Sequence, residues 1–335
     1  MSVGSRTTDD SPPAVWRPGA EGEVLRARAA MLADIRDYFS AVGVLEVETP
    51  LACRAAGTDP AIDPLIARYT GPLYPQGVDL YLQTSPEFAM KRLLANGSGP
   101  IYQICKAFRD GEAGRLHNPE FSILEWYRPG YRVADMMTEV AAVLRCALHR
   151  RGLETETQSY AGLFAARLGI DVFAVDAESL HQVAVQHRLS GAEGLKLDRD
   201  GWLDLLMSHV IQPALGPGRL CYVTDYPASQ AALARRNPDR LTAARFEVFL
   251  DGAELANGFD ELTDADEQAA RFEAENRERR ARGKRPVTVD RQLLAAMEAG
   301  LPTCCGVAVG LDRLLMLRQG LDDLDAAMSF SLRRC

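Results

Sequence analysis

The chain is poor in cysteine. Its seven, Cys53, Cys105, Cys146, Cys221, Cys304, Cys305 and Cys335, form no C-x-x-C pair and no Cys/His spacing suited to a metal, and an odd count cannot pair off completely. That excludes a disulfide-stapled scaffold and predicts reduced thiols in a cytoplasm. Long apolar runs are missing too. Nothing approaches the ~18 residues that span a bilayer, so no membrane partner is expected. The first twenty residues lack the basic-then-apolar order of a signal peptide. Positive charge is in deficit: 38 Lys and Arg stand against 46 Asp and Glu, a net charge of −8. An acidic surface repels a phosphate backbone unless a local patch offsets it, and the one basic run is Arg271–Arg285. Nucleic-acid binding is therefore disfavoured. No serine or cysteine sits in a nucleophile–base pattern. What remains is 335 residues, 47% hydrophobic and 25% charged. That is enough for one large globular domain or two, and too apolar for a disordered chain.

Residues 1–20, rich in Ser, Thr, Asp, Gly and Pro, predict a flexible N-terminal arm. Apolar positions from Val24 to Val42 recur at helical spacing and stop at Gly43. Val44 to Pro50 reads as a short strand. Ser85-Pro86-Glu87 predicts a helix start with Ser85 as its cap. Pro100–Arg109 and Phe121–Arg128 predict an antiparallel hairpin with a long tip. Residues 133–220 read as largely helical, and about 145–240 as a mostly helical insertion. Arg245–Leu250, the turn Asp251-Gly252 and the strand from Ala253 predict a second hairpin. Thr263–Asp266 opens a polar helix reaching about residue 283. Cys305–Gly310 predicts a strand feeding a helix from Leu311 to Arg318. Helices between antiparallel hairpins imply an α+β fold, an antiparallel sheet flanked by helices.

Three places could carry chemistry. Alternation puts Phe121, Ile123, Glu125 and Tyr127 on one strand face, where a buried carboxylate needs a partner. Glu125 either pairs with Arg109 or Arg128, or receives a ligand cation; the residues alone leave both open. In the second hairpin Glu254 falls opposite Phe249, so Glu247 and Glu254 are diagonal neighbours. They are either two solvent-facing acids or a Mg²⁺ site completed by phosphate oxygens. Glu261 is seven residues past Glu254, the wrong parity for the same face. An irregularity at Asn257-Gly258 is predicted to re-aim the strand. Last, Gly306–Gly310 before a helix carrying Arg313 is either a packing glycine pair or an anion site.

Taken together, these segments resemble a known family. Lys106-Ala-Phe-Arg109-Asp-Gly-Glu112, His117-Asn-Pro-Glu-Phe121 and Leu124-Glu-Trp-Tyr127 resemble motif 2 of class II aminoacyl-tRNA synthetases in the lysyl version. Gly306–Leu314 resembles motif 3. Val44–Pro50 with its preceding helix resembles motif 1, the dimerisation element. Thr84–Glu87 and Glu254–Glu261 resemble the lysine-pocket segments. About twenty residues precede motif 1, too few for the anticodon-binding OB-fold of the tRNA-charging enzymes. The chain therefore resembles the elongation factor P lysine ligase family, with residues 21–335 as the catalytic domain. That likeness implies ATP and Mg²⁺ as cofactors, lysine or β-lysine and elongation factor P as partners, a cytoplasmic homodimer, and little tRNA binding.

By that likeness Arg109 and Arg313 are catalytic, holding the ATP α-phosphate and the far phosphate. Phe121 stacks on adenine, while Asp110, Gly111, Glu112, His117, Asn118, Glu254, Leu255 and Gly310 complete the ATP site. Motif 2 reads Arg-Asp-Gly-Glu here where many relatives read Arg-Asn-Glu, which leaves open whether Glu112 or backbone meets the adenine edge. Glu247 and Glu254 are the implied Mg²⁺ ligands. Glu125, Tyr127 and Glu261 receive the side-chain ammonium and Glu87 the other amine, with Ser85, Pro86, Asn257, Phe259 and Ala308 lining the same pocket. The implied reaction activates lysine as an adenylate and transfers it to a lysine of elongation factor P. Two alternatives are a tRNA-charging enzyme without its anticodon domain and a non-catalytic paralogue with a binding role. Ala308 stands where the tRNA-charging enzymes usually have Gly, and its methyl group should favour (R)-β-lysine over α-lysine. Ala308→Gly is therefore expected to shift the ratio of the two pyrophosphate-exchange activities toward α-lysine by about tenfold, since one methylene of shape is worth ~1–3 kcal/mol; an unchanged ratio refutes this role.

Overall fold

The computed structural model describes residues 16–335. Most of the predicted arm, residues 1–15, lies outside them. Its last part is not loose. The Gly19 N–H donates to Ser329 O at 2.9 Å and the Ala20 N–H to Met328 O at 2.8 Å, and Ala20 is buried, so the chain enters the fold already tied to the C-terminal segment.

Helix α1 (Gly22–Ala41) buries Val24, Met31, Ile35 and Phe39, the predicted stripe. The strand expected at Val44–Pro50 shrinks to β1 (Leu45–Glu46). A small sheet that was not foreseen follows, from β2 (Ala52–Cys53), β3 (Ile66–Gly71) and β4 (Tyr74–Leu82) in the order β2-β4-β3. Helix α2 spans Glu87–Ala95, with Pro86 at its cap position. Ser85 is one residue too early to cap it. Its hydroxyl accepts from the Glu87 N–H at 3.1 Å, and the hydroxyl proton goes to the site. The first hairpin is β5 (Ile101–Phe108) and β6 (Glu120–Pro129), followed by α3 (Val133–Leu148).

The segment expected to be a mostly helical insertion contains more. Strand β7 (Thr155–Ser159) precedes α4 (Tyr160–Leu168), α5 (Ala177–Gln186) and α6 (Arg199–Leu206), and β8 (Leu220–Pro227) closes it. Both strands belong to the main sheet. Strand β7, Thr-Glu-Thr-Gln-Ser, lies on the outer edge and is largely exposed, so it carries no apolar alternation to read. The second hairpin is β9 (Thr242–Leu250) and β10 (Ala253–Asp260). Asp251 and Gly252 both have positive φ, 51° and 77°, the geometry a two-residue hairpin turn demands. Helix α7 (Ala265–Ala281) is capped by Asp264, which accepts from the Glu267 N–H at 2.9 Å. Then come α8 (Arg291–Gly300), β11 (Cys304–Gly310), α9 (Leu311–Gln319) and α10 (Leu324–Ala327). Among the described residues no helix is long and apolar enough to cross a membrane.

The eight-stranded sheet runs β1-β5-β6-β11-β10-β9-β8-β7. Only its two edge pairs, β1 with β5 and β7 with β8, are parallel. One face packs on α1, α3 and α9, where Leu124, Trp126, Val307 and Val309 meet Phe39, Leu144 and Leu314. The basic run from Arg271 to Arg285 is satisfied internally in part, while Arg277, Arg280, Arg282 and Arg285 stay exposed. Buried Arg279 binds Asp63 at 2.5 Å and the Asp59 and Ile62 carbonyls, and Arg271 pairs with Glu267.

Asp312 ties three separate segments together. On α9 and almost wholly buried, it pairs with Arg28 of α1 and accepts the Ser122 N–H of β6 at 2.6 Å. Asp312→Ala leaves the half-buried Arg28 with only the Ala327 carbonyl and the Ser122 amide without its acceptor, a loss of ~1–3 kcal/mol. A calorimetric or fluorescence melt should show a Tm lower by about 2–4 °C, and an unchanged Tm would refute the tie.

Candidate active site

The other face of the sheet is open. A cavity of about 640 Å³ lies over β6, β11, β10 and β9, roofed by α2, α7 and the β5–β6 tip. The odd-numbered residues of β6, the even-numbered ones of β11 and the pocket-facing residues of β10 line it.

One end is nucleotide-like. Arg109 sits over the Phe121 ring, 4.9 Å from its centroid, with Glu112 at 3.5 Å; its buried Nε has no protein partner. Arg313 donates to Leu116 O at 3.1 Å, to Glu254 O at 3.1 Å and to His117 Nε2 at 2.8 Å. Burial, and then the Arg313 charge, hold the His117 imidazole below its usual pKa. His117 is therefore neutral and accepts from the guanidinium. Asn118 forms part of the wall, but its amide donates to Glu120 O at 2.6 Å and its carbonyl accepts from the Leu332 N–H at 2.9 Å. Leu255 and Gly310 also line the cavity. Asp110 and Gly111 do not. The Asp110 N–H bonds Asp63 O at 2.7 Å and the pair turns outward, so of that stretch only Glu112 reaches the cavity.

Glu247 and Glu254 reach the cavity from adjacent strands, and the register puts Glu254 opposite Phe249, as expected. The irregularity in β10 is at Leu255, between Glu254 and Ala256, and not at Asn257-Gly258, which pair regularly with Glu247 and Phe246. One extra residue there reverses the parity of everything after it. That is why Glu254, Asn257, Phe259 and Glu261 all face the cavity despite odd separations. Arg245, two residues before Glu247 and unforeseen, binds it at 2.5 Å. Burial, opposed by Arg245 and reinforced by Glu254, raises the Glu247 pKa. Among the described residues no three His, Cys, Asp or Glu cluster as a self-sufficient metal site. Two carboxylates on one wall fit Mg²⁺, which takes one or two protein carboxylates and completes its shell with water and phosphate.

The other end is acidic and closed. Glu125 is 2% exposed and has no arginine. Arg128 lies on the far face with Glu139, at 3.2 Å, and Arg109 lies with Glu112. Instead Glu125 accepts from Ser85 Oγ and from Tyr127 Oη, both at 2.6 Å. Burial first, and then Glu87, push its pKa up to about 7. Glu261, 1% exposed, is pushed up to about 8 by burial against the pull of Lys91. Asn257 presents a buried carbonyl oxygen without a protein partner, and Ala308 sits between Glu125 and Asn257 in the register. Pro86 is not on the cavity wall. Sequence reasoning missed Lys91, which sits behind Glu87 and Glu261. Its trace was a lysine in phase with the apolar stripe Phe88, Met90, Leu94. It also missed an acidic side lobe where Asp204 and Glu275 meet the cavity, pushed up by burial to about 6 and about 7.

A search against protein families matches residues 15–334 to the class II tRNA synthetases of the D, K and N type. The chain belongs to this family. Among relatives, proteins named elongation factor P–(R)-β-lysine ligase from Klebsiella pneumoniae, Enterobacter sp. and Salmonella typhi are each 46% identical over 322 residues, covering 96% of this chain and 98% of theirs. The cavity thus has arginines at one end and carboxylates at the other.

Gly306 marks the join. A Cβ there would overlap Glu261 Oε1 and the Tyr127 ring. Gly306→Ala should weaken binding of a diammonium amino acid by about 10- to 100-fold, the ~1–3 kcal/mol of overpacking, with ATP affinity unchanged, as read by titration calorimetry. Retained amino-acid affinity would place the amino acid elsewhere.

Proposed function

We propose that this chain is an elongation factor P–(R)-β-lysine ligase. The observation that carries the reading is one cavity holding Arg109 and Arg313 at one end and Glu87, Glu125 and Glu261 at the other. A lysine isomer bridges those ends, its carboxylate toward the arginines and its two ammonium groups among the carboxylates. Phe121 stacks on the adenine of ATP, and Arg109, lying over the same ring, meets the α-phosphate. Arg109 brings the amino-acid carboxylate in line with the α-phosphate, and Arg313 holds the far phosphate. One carboxylate oxygen attacks phosphorus and pyrophosphate leaves. The step asks for positioning and charge neutralisation more than proton transfer. Glu247 and Glu254 would hold Mg²⁺, which when bound neutralises phosphate charge. A lysine amine of elongation factor P then attacks the acyl carbon, AMP departs and an amide forms.

Two further assignments go with this reading. The seven cysteines are free, which supports a cytoplasmic setting. Leu45, 57% exposed, and Val42, 40% exposed, flank the β1 edge of the sheet and support a homodimer through that region.

Incubating the protein with ATP, (R)-β-lysine and elongation factor P should add one lysyl mass to elongation factor P in mass spectrometry. Arg109→Ala and Arg313→Ala should each lower pyrophosphate exchange by about 10²–10³-fold, as for loss of one charge-stabilising donor. Exchange without any mass gain, together with charging of tRNA, would favour a tRNA-charging enzyme; no exchange with any amino acid would leave a non-catalytic paralogue.

A further inference from the structure

Lys91 stands beside the acidic end, and the scheme above leaves it without a role. It is 1% exposed, on the same helix as Glu87 and one turn further on. Its Nζ lies 2.7 Å from Glu87 Oε1 and 2.6 Å from Glu261 Oε2. The helix that carries it is packed into an apolar cluster of Phe88, Met90, Leu94, Phe272 and Cys304. Glu87, Glu125 and Glu261 line the cavity, whereas Lys91 does not. It grips the two carboxylates from behind the wall and leaves Glu87 Oε2 and Glu261 Oε1 for other partners.

A purely structural role fits this poorly. Replacing a buried ion cluster by apolar side chains of similar volume is often neutral or stabilising. Lys91 already stands in an apolar stripe, where Met or Leu would pack without desolvating any charge. A second fact concerns Glu125. Its partners, Ser85 and Tyr127, are neutral hydroxyls, so no protein cation contacts it and Lys91 acts on it only through space. With all three ionised, three carboxylates face one protein ammonium, and two negative charges are left over at this end of the cavity.

We propose that Lys91 is a positioning residue that sets the charge count of the amine pocket, fixing Glu87 and Glu261 and neutralising one of the three carboxylates so that the pocket is matched to two ligand ammonium groups. The inference rests on the reading of this end as the amine pocket of a lysine-type substrate. It explains why an extra carboxylate and an extra lysine occur together. The pair holds two acceptors at a set separation, which one carboxylate on a free side chain cannot do, and it does so without adding net charge.

The count makes an unusual prediction. Lys91→Met leaves one negative charge too many, Glu261→Gln leaves one too few, and the double variant returns to the original balance. In pyrophosphate exchange with (R)-β-lysine or α-lysine, each single variant should raise the amino-acid KM by ~100-fold or more, on the scale of a broken buried pair. Their ATP KM should stay within about twofold. The double variant should bind the amino acid at least ~10-fold better than either single one, a coupling that independent sites do not give. Where Lys91→Met does not fold, the comparison of Glu261→Gln with the double variant still decides. An amino-acid KM unchanged in Lys91→Met, or a double variant no better than the worse single one, overturns the proposal while leaving the functional reading intact. Absence of exchange by the wild-type chain with both amino acids would instead sink the functional reading, and this inference with it.

Discussion

The structure is organised around a liability: Glu125 and Glu261 are almost wholly buried, and Glu87 stands beside them. Ionised carboxylates taken out of water are costly unless paired, and like charges at close range raise one another's pKa. The protein answers with two hydroxyls for Glu125, one ammonium shared by Glu87 and Glu261, and an opening through which further cations enter. Glu125 at about 7 and Glu261 at about 8 describe a pocket not fully ionised by itself. An incoming diammonium ligand favours the charged forms, so binding and ionisation are coupled. The empty pocket is tolerable, and the filled one is where the charges balance.

Backbone geometry is what brings those carboxylates together. Strand β6 supplies Phe121 and Tyr127 from one face, six residues apart, or ~20 Å of strand, which is the span from the arginine end of the cavity to its acidic end. Strand β10 has to serve the same span but carries Glu254 and Glu261 at opposite parity. The extra residue at Leu255 resolves the conflict. Without it Glu261 would point to the opposite face of the sheet, away from the cavity and from Lys91. The bulge thus lets one strand present both Glu254 and Glu261 to a single cavity.

Much of this was legible in the chain. The two hairpins, the Asp251-Gly252 turn, the shared face of Glu125 and Tyr127 and the diagonal of Glu247 and Glu254 all follow from alternation and turn chemistry, and the structure places them as expected. An irregularity in β10 was legible from parity, but its site was not. Asn257-Gly258 offers the stronger backbone signal, yet Gly258 is needed where it is because a side chain would strike Phe246. The edge strand β1 was read too long and β7 was missed, since exposed pairs need no apolar alternation. Lys91 was missed for a related reason. A lysine in an apolar stripe looks like an error in the pattern until its partner, 170 residues away in sequence, is in view. The departure from periodicity was the signal.

Charge also explains how a ligand is oriented before it is gripped. The chain is acidic overall, and its basic run 271–285 turns part of its charge inward, with Arg279 on Asp63 and backbone carbonyls and Arg271 on Glu267. Of the arginines that line the cavity, Arg245 is taken by Glu247 and Arg282 by Asp198 and Glu278. Arg109 lies over Phe121 with one nitrogen lacking a partner, and Arg313 is braced by carbonyls and a neutral imidazole. Glu112 and Glu254 stand beside those two arginines, so that end is close to neutral, whereas the Glu125 end holds more carboxylates than cations. The field along the cavity therefore comes from its acidic end, and in a low-dielectric enclosure it acts over several ångströms. On the proposed reading, a substrate carboxylate set against Glu125 would be repelled, which favours entry with the carboxylate toward the arginines.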